Sequence, residues 1–489
     1  MGQRLGLCTA AATAGISMVM NERVRALNDA PVREGAKYVL YWAQMNRRAE
    51  ANHALLRAAE WANLLGLPLL VHEGLTCTYA HANDRMHTFI LEGVPEQARR
   101  FASLGAGYCF YLRRTSRDPD DVLYRLAAKA ALVVTDDYPV FVAAKHNASA
   151  PAKVDVLCEA VESSCVVPMS AFTKREYAAC TIRPKIHRLW QRYLAALPEV
   201  KLARRWTGPP PEFHTEVTAA NIASLAASCE IGHSVAPSIS YTGGRLAAES
   251  TLRHFLNNNL RRYARERNEP AAHATSDSSP YLHFGQISAL EIALAARRHA
   301  AEHSLAAGEF LEELIVRREL AFNYSRFASP PDTFAHLPDW NRRTLELHDG
   351  DPRPSVYAYD EFAQALTHDP LWNACQHELL LRGKIHGYYR MYWGKKIIEW
   401  SRSHQDALET MVRLHDIHAL DGRDPNTYTN ILWCFGLHDR PWRERPVFGK
   451  VRYMSYDGMK RKTGVDAYLR EITHLRQTGQ DPFRLKAEV

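Results

Sequence analysis

The order of hydrophobic patterns along the chain constrains its fold more than any other feature. The first third alternates apolar runs with helical patterns, as in Lys37–Trp42, the helical stretch 46–65 and Pro68–Val71. Strands and helices that alternate at this spacing predict βαβ units, and therefore a parallel sheet covered on both faces. Further strands are expected at 86–91, 108–112 and 132–135, and helices at 95–104 and 122–130.

The pattern changes near Thr181. The proline-rich string Thr207–Glu212 and the small-residue stretch 219–240 predict a long connector, and almost every segment after Tyr241 has helical spacing. The expected fold is an α/β N-terminal domain with a Rossmann-like parallel sheet, followed by an all-α C-terminal domain. The expected ranges are 21–180 for the α/β domain, 181–240 for the connector and 241–489 for the helical domain. No G-x-G-x-x-G string follows the first strand, so an ordinary NAD-binding half is not expected.

Charge and cysteine content narrow the functional classes. The 489 residues carry a net charge of +7, which permits a polyanionic partner without requiring one. The nine cysteines contain no Cys-x-x-Cys pair, so neither a metal site nor a disulfide framework is predicted. The uncharged run Leu5–Met20 is too weakly apolar for a membrane span. We therefore expect a cytoplasmic protein, or a nuclear one if the source is eukaryotic.

Hydroxyl side chains cluster before one helix of the C-terminal half, in the string Thr275–Gly285. Hydroxyl groups and free backbone N–H groups at a helix start can bind phosphate. Ordinary helix capping explains the same residues.

A second cluster, Glu312–Glu319, places Glu313 and Arg317 four residues apart. A surface ion pair on one helical face is the simplest interpretation. The surrounding Leu, Ile and Val residues predict instead a buried face, where a carboxylate needs a specific partner.

A third cluster, Lys384–Trp400, contains Trp393 and Trp400 two helical turns apart, and Trp372 lies one helix earlier. Such a stripe is typical of a hydrophobic core. Three indoles that lead from a core to the surface would also suit electron hopping.

The fourth cluster joins Leu420–Asn426 to Trp433–Trp442. Asp and Asn around Gly and Pro usually form turns. Charged side chains this close to several tryptophans favour a functional loop.

Together these clusters resemble the class II cyclobutane pyrimidine dimer photolyases of the photolyase/cryptochrome family. The similarity runs from about residue 21 to 475, and the order of the strings makes a chance match very improbable. The matching strings are Thr181–Ile186, Ser279–Ser288, Glu312–Leu320, His386–Trp393, Leu420–Asn426, Trp433–Gly436 and Arg452–Met454.

The resemblance implies a helical domain that holds FAD in a bent form. Arg390 would pair with Asp421 beside the isoalloxazine ring, where a guanidinium favours the anionic reduced flavin. Asp424 and Asn426 would complete that wall of the site. The phosphates and the ribityl chain would be held by Tyr263, Thr275, Ser276, Ser278, Ser279 and Arg317.

The resemblance also implies an activity: light-driven splitting of pyrimidine dimers in UV-damaged double-stranded DNA, with the lesion flipped out of the duplex. Glu313 would hydrogen-bond the dimer, and Met391 and Trp433 would form apolar walls around it. Trp393 near the flavin, then Trp372, then Trp400 at the surface would reduce oxidised FAD under light. A deazaflavin or folate antenna could bind the N-terminal domain. We expect a monomer. Phosphate contacts are expected from the basic side chains Arg253, Arg261, Arg262, Arg267, Arg440, Arg443, Lys450, Arg452, Lys460, Arg461 and Lys462.

One residue departs from the family pattern. The family has Leu-Asn-Asp where this chain has Leu414-His415-Asp416, and that Asn faces flavin N5. A histidine titrates near neutrality, so His415 could alter flavin chemistry or make photoreduction pH-dependent. The alternative is that His415 turns away and a water fills the gap. Ser278 replaces a usual Leu, which we expect to matter little.

Two other functions stay open at this point. A cryptochrome-like light receptor would explain the His415 departure, although no long extension follows the helical core. A DNA-binding or structural protein without flavin is disfavoured by the intact Arg390 and Asp421 and by the hydroxyl cluster.

Overall fold

The computed structural model describes residues 21–483, and the run Leu5–Met20 lies outside them. The N-terminal part contains a six-stranded sheet in the order β1-β6-β5-β2-β3-β4, in which every neighbouring pair is parallel except β1 and β6. This confirms the predicted parallel α/β domain. The strands are β1 Val24–Ala26, β2 Tyr38–Ala43, β3 Leu69–Thr76, β4 Gly107–Arg113, β5 Ala130–Asp136 and β6 Cys158–Val161.

Helices pack against this sheet and bury its central strands. Every residue of β2 and β5 is buried, which explains their unbroken apolar sequences. The helices of this part are α1 His53–Leu65, α2 Asp84–Leu91, α3 Val94–Leu104, α4 Val122–Ala127 and α5 Phe141–Ser149.

The strand predicted at 86–91 is wrong, because this segment forms α2. The Asn83 side chain accepts a hydrogen bond from the Met86 backbone N–H at 3.2 Å and so caps the helix. A short apolar run fits either a buried strand or a buried helix. The cap signal in Asn83-Asp84 distinguishes them here.

A buried carboxylate ties the loop after β2 to the end of β5. Asp136 Oδ2 accepts the backbone N–H groups of Gln44, Met45 and Asn46 at 2.8, 2.7 and 2.9 Å. Its Oδ1 accepts the Tyr41 hydroxyl at 2.9 Å and the Asn46 amide at 2.7 Å. These five bonds fix the carboxyl ends of adjacent parallel strands, where ligands bind in open α/β sheets.

The connector begins with helix α6, Ala179–Tyr193, and contains one further short helix, α7, Ile222–Ala227. Between them the chain runs along the edge of the sheet. The Trp206 N–H donates to the Gly105 carbonyl at 2.8 Å, and the Thr215 N–H donates to Phe110 at 2.7 Å. The domain boundaries at 180 and 240 stay predictions.

The C-terminal part is helical in the described range, as predicted. Two segments, Phe255–Asn259 and Glu312–Arg317, are π-helical turns within longer helices. The α-helices are α8 Arg245–His254, α9 Leu260–Glu266, α10 Ser279–His283, α11 Ala289–Glu302, α12 Gly308–Leu311, α13 Arg318–Phe327, α14 Asp339–His348, α15 Tyr359–Ala363, α16 Pro370–Arg382, α17 Gly387–Trp400, α18 His404–His418, α19 Pro425–Cys434, α20 Tyr456–Lys462 and α21 Val465–Thr478.

The two parts meet at a close backbone contact. Gly285 has φ +66°, and a Cβ there would collide with the Met45 carbonyl oxygen. Arg48 crosses the same boundary and donates to the Gly285 carbonyl at 3.1 Å. Only glycine fits both the conformation and the space at this contact.

Within residues 21–483, no helix is long and apolar enough to cross a membrane.

Candidate functional site

A cavity of about 480 Å³ opens in the helical part of the molecule. Its walls come from segments far apart in sequence, which include α17, α18 and the loop before α19. The structure brings ten of the predicted site residues into these walls. They are Tyr263, Thr275, Glu313, Arg317, Arg390, Met391, Trp393, His415, Asp421 and Trp433.

The three serines predicted to bind the cofactor, Ser276, Ser278 and Ser279, are not among the residues that line this cavity. Ser279 donates its hydroxyl to Asp421 at 2.7 Å and so supports a wall residue. Ser278 is buried, and its hydroxyl donates to the Ser276 carbonyl at 3.2 Å. Their contact with a cofactor stays a prediction.

Asp424 and Asn426, which we expected to complete the flavin wall, are not among the residues that line this cavity. Asp424 caps α19 by accepting the Asn426 backbone N–H at 2.8 Å, and it accepts the Tyr138 hydroxyl at 2.6 Å. Burial opposes its ionised form, but hydrogen bonds and charge from His283 outweigh that and lower the pKa of Asp424. Asp424 therefore links α19 to the α/β domain.

The polar centre of the cavity is the pair Arg390–Asp421. One terminal guanidinium nitrogen lies 3.0 Å from each carboxylate oxygen. Burial favours the neutral acid, but the Arg390 charge and hydrogen bonds hold the pKa of Asp421 below its ordinary value. The buried Arg390 Nε has no hydrogen-bond partner among the described residues. An unpaired buried donor at a cavity wall is typical of a ligand site.

Glu313 lies on the π-helical turn, and the structure corrects both predictions made for it. Its carboxylate pairs with Arg267 at 2.6 Å instead of Arg317, while Arg317 Nε lies 3.5 Å from Glu312. The expected burial is also wrong, because the Glu313 and Arg317 side chains are 42% and 52% exposed. The π turn shifts the register of the helix, so residues four apart no longer face each other.

Three tryptophans extend from the cavity into the protein. The Trp393 and Trp372 rings are parallel within 5°, with centroids 6.1 Å apart, and Trp372 to Trp400 is 6.3 Å. Only Trp393 lines the cavity. The expectation that Trp400 lies at the surface is wrong, because it is 2% exposed. The rings of Tyr357 and His368 cover it, with centroids at 5.8 and 4.8 Å.

His415 lines the cavity and does not turn away from it. Its Nδ1 donates to the Met411 carbonyl at 2.8 Å, so Nε2 is left as an acceptor. Its ring meets Trp393 edge-on at 5.1 Å. Burial and the nearby Arg390 lower the pKa of His415 to about 4. A pKa this low favours the neutral imidazole at physiological pH, and the effect of His415 on flavin chemistry stays a prediction.

Comparison with known proteins places this geometry in a family. The family described as DNA photolyase matches residues 39–202. The deoxyribodipyrimidine photo-lyase of Methanothermobacter thermautotrophicus is 40% identical over 94% of this chain and 99% of its own length. The chain belongs to the DNA photolyase family.

Solved structures agree on the fold. A class III photolyase from Agrobacterium tumefaciens superposes with a TM-score of 0.68 at 16% identity, covering 94% of this chain and 92% of its own. An archaeal photolyase from Sulfolobus tokodaii, solved with two FAD molecules, gives a TM-score of 0.62 at 15% identity, covering 92% and 96%. The photolyase/cryptochrome fold predicted from the sequence is confirmed.

Sequence reasoning missed an ion pair at the edge of this photolyase-family cavity. Lys384 lies in the wall and pairs with Asp277, which lines a smaller neighbouring cavity of about 70 Å³. Burial raises the pKa of Asp277, but Lys384 outweighs it and the net shift is downward. Asp277 also has a positive φ of 50° within the hydroxyl cluster. An acidic residue among hydroxyls was the available signal.

A separate cavity of about 100 Å³ lies at the carboxyl ends of β2 and β3. Trp42 and His146 stack in its wall, with centroids 5.5 Å apart. Phe284 and Arg423 of the helical part complete it. This is the position at which α/β sheets bind ligands.

Proposed function

We propose that this protein is a class II photolyase, a carbon–carbon lyase that splits cyclobutane pyrimidine dimers in DNA under light. One observation carries this proposal. A single cavity is lined by the Arg390–Asp421 pair and by Glu313 and Trp433, which are expected to bind the lesion. Trp393, where the chain of tryptophans begins, lines the same cavity. A carboxylate and an indole beside the guanidinium expected to face the flavin suit recognition and reduction of a flipped-out pyrimidine dimer.

The residues present fit FAD. The cavity has a size typical of cofactor sites, and in its wall the buried Nε–H of Arg390 has no hydrogen-bond partner within residues 21–483. Tyr263, Thr275 and Arg317 would bind the phosphates and ribityl chain. When bound and reduced, FAD supplies one electron under light and recovers it after the cyclobutane ring opens.

The chain itself binds and orients the lesion. Extruding a dimer from a duplex costs a few kcal/mol, and stacking on an aromatic side chain returns about 1–3 kcal/mol per base. Trp433 and Met391 would provide that apolar contact. Glu313 would hydrogen-bond the pyrimidine carbonyl or N–H groups, while Arg267 holds its carboxylate in place.

The stacked pair Trp393 and Trp372, with Trp400 behind them, would reduce oxidised FAD under light. The centroids of neighbouring rings lie 6.1 and 6.3 Å apart, which suits stepwise electron transfer. The buried position of Trp400 means that charge must leave through its aromatic neighbours.

The DNA partner would be double-stranded and damaged by UV light, and we expect a monomer to bind it. Candidate phosphate-binding side chains are exposed on the helical part, as Arg261, Arg440, Arg443, Lys450 and Lys460–Lys462 are. Their phosphate contacts would make affinity fall with salt. This activity requires the compartment that holds DNA, the cytoplasm or a nucleus.

The cavity of about 100 Å³ at the carboxyl ends of β2 and β3 is the candidate antenna site. Its aromatic walls, Trp42, His146, Tyr79 and Phe141, suit a flat chromophore such as a deazaflavin or a folate. The S. tokodaii relative carries two FAD molecules, so a second flavin is also a candidate there.

The test is a repair assay with a colour check. Purified protein is reduced and illuminated with dimer-containing DNA, and recovery of pyrimidine absorbance is followed. Repair in light and none in the dark supports the proposal. A control variant is Glu346→Gln on α14, which removes a carboxylate that does not line the 480 Å³ cavity. This variant should repair like the unmodified protein.

Other outcomes point to the alternatives. Full flavin occupancy without repair would overturn the proposal. A persistent light-induced radical in such a protein would favour the cryptochrome-like receptor. A colourless, flavin-free preparation would favour a binding protein without cofactor.

A further inference from the structure

Lys395 is a buried cation that the proposed repair reaction leaves unused. It lies on α17 and is 0% exposed. Its Nζ donates to the Cys434 carbonyl at 2.5 Å. Among residues 21–483, no carboxylate lies within ion-pair distance of it. A buried charge without a counter-ion is costly, so its position calls for an explanation.

The Lys395 ammonium lies over the ring of Trp433, 5.2 Å from the centroid. A second cation, Arg452, lies 5.4 Å from the same ring. A cation at this distance is attracted to a neutral indole and opposes any positive charge on it. Arg452 forms an ion pair with Asp439 at 3.2 Å, which compensates its charge. Lys395 is therefore the cation that makes Trp433 harder to oxidise.

Trp393, the other tryptophan of the cavity, has a different environment. Its indole N–H donates to the Gln376 side-chain oxygen at 2.9 Å. Trp372 stacks on it and donates to its backbone carbonyl at 3.0 Å. A hydrogen-bond acceptor at the indole N–H stabilises a positive charge on the ring. No described Lys or Arg side chain lies over either of these two rings.

The adjacent residue Lys396 shows that a nearby lysine alone does not produce this effect. It lies 5.4 Å from the Trp400 ring, but it forms an ion pair with Glu399 at 2.5 Å. The carboxylate compensates its charge. The uncompensated lysine faces the lesion wall, and the compensated lysine faces the tryptophan chain.

We propose that Lys395 prevents oxidation of Trp433, so that the electron for flavin reduction leaves from Trp393. This inference rests on the proposed flavin site. On illumination Trp393 would give one electron to the bound oxidised flavin, and Trp372 and then Trp400 would return an electron to it. An external thiol would reduce Trp400 through the aromatic neighbours that cover it, Tyr357 and His368. Trp433 stays neutral and keeps its stacking surface for the lesion. Lys395 does not line the cavity, so it would act through its charge on the Trp433 ring and is a positioning residue.

The test uses flavin-loaded protein and flash photolysis of the tryptophan radical. Trp393→Phe should abolish most of the radical signal. Adding Lys395→Met should raise the radical signal at least about tenfold above that of Trp393→Phe alone. A further Trp433→Phe should remove the signal again. Trp393→Phe with Lys396→Met is the matched control and should stay silent.

A second arm needs no change at Lys395. Burial lowers the pKa of Lys395 to about 8, so raising the pH from 7 to 9 neutralises it. Cys434, Asp439 and Arg452 also act on this ammonium, and burial raises the pKa of the Cys434 thiol to about 11, which keeps it neutral. The radical yield of Trp393→Phe should therefore rise with pH.

Three results would overturn the inference. The first is a strong Trp433 radical in Trp393→Phe at pH 7. The second is no gain in radical signal when Lys395→Met is added to Trp393→Phe in a folded, flavin-loaded protein. If that double variant does not fold, the third is a radical yield of Trp393→Phe that does not rise with pH. Absence of any tryptophan radical in the unmodified, flavin-loaded protein would instead count against the proposed function.

Discussion

Two buried carboxylates, one in each domain, have opposite surroundings. Asp136 of the α/β domain accepts five hydrogen bonds and is closed off from solvent. Asp421 of the helical domain lies in a cavity wall and pairs with Arg390, whose Nε has no described partner. The first network is complete within the protein, and the second has capacity left over.

The difference separates a structural carboxylate from a binding one. A fully satisfied polar network stabilises one backbone arrangement. A partly satisfied network at a cavity is costly for the empty protein, and a ligand that supplies the missing partners recovers that cost. Substitutions in the two networks should therefore affect different properties.

The largest effect is expected at Asp136. Asp136→Ala leaves three backbone N–H groups without acceptors and should lower the free energy of unfolding by about 3–5 kcal/mol. Urea unfolding followed by circular dichroism measures this. Asp421→Asn is the matched variant, and it should cost about 1–2 kcal/mol while weakening flavin binding. Equal losses at the two positions would remove the distinction.

The next largest effect concerns a buried residue that serves function. Trp372→Phe should slow flavin photoreduction by on the order of a hundredfold, because it interrupts the tryptophan chain. Repair by chemically reduced protein should be unchanged. Phe362→Leu, which alters a ring 5.2 Å from Trp372, is the control and should reduce flavin at a normal rate. Normal photoreduction in Trp372→Phe would mean that another route supplies the electron.

A smaller effect is expected at the cavity mouth. Glu313→Gln should lower the repair rate about tenfold, because the lesion loses a charged partner. Stability should change by less than about 1 kcal/mol, since the Arg267 pair is partly exposed. Glu309→Gln, which removes the other carboxylate near Arg267 at 3.0 Å, controls for the loss of charge. Equal repair by both variants would exclude a specific role for Glu313.

The smallest effect is expected at His415. Its pKa of about 4 keeps it neutral, so the photoreduction rate should vary less than about twofold between pH 6 and 8. As the pH falls from 6.5 towards 4, His415 becomes protonated in the unfolded chain but stays neutral in the folded protein. This difference lowers the free energy of unfolding. His415→Asn cannot bind this proton and should therefore lose less stability between pH 6.5 and pH 4. A stability difference between the two proteins that stays constant across this range would contradict the lowered pKa of His415.

The sequence predicted what depends on local pattern. The parallel strands and the helical second half follow from hydrophobic period. The ten cavity residues follow from the resemblance to a known family. The segment 86–91 failed because its apolar run fits two structures. The Glu313–Arg317 pair failed because a π turn is not visible in residue spacing.

Other features depend on segments that are remote in sequence. Asp136 receives its hydrogen bonds from residues about ninety positions away, and no local pattern reports this. Trp400 is buried by Tyr357 and His368, which come before it in an irregular stretch. The cation over Trp433 comes from α17, whose two lysines cannot be told apart by sequence alone.

The contact at Gly285 has a consequence for light collection. Because its backbone meets the Met45 carbonyl with no room for a side chain, the sheet and the helical bundle cannot slide past each other there. A flavin in the 480 Å³ cavity and an antenna pigment in the 100 Å³ cavity would therefore keep a constant separation and relative orientation. The efficiency of excitation energy transfer between the two pigments would then be fixed by the folded structure. It would not vary with thermal motion of one domain against the other.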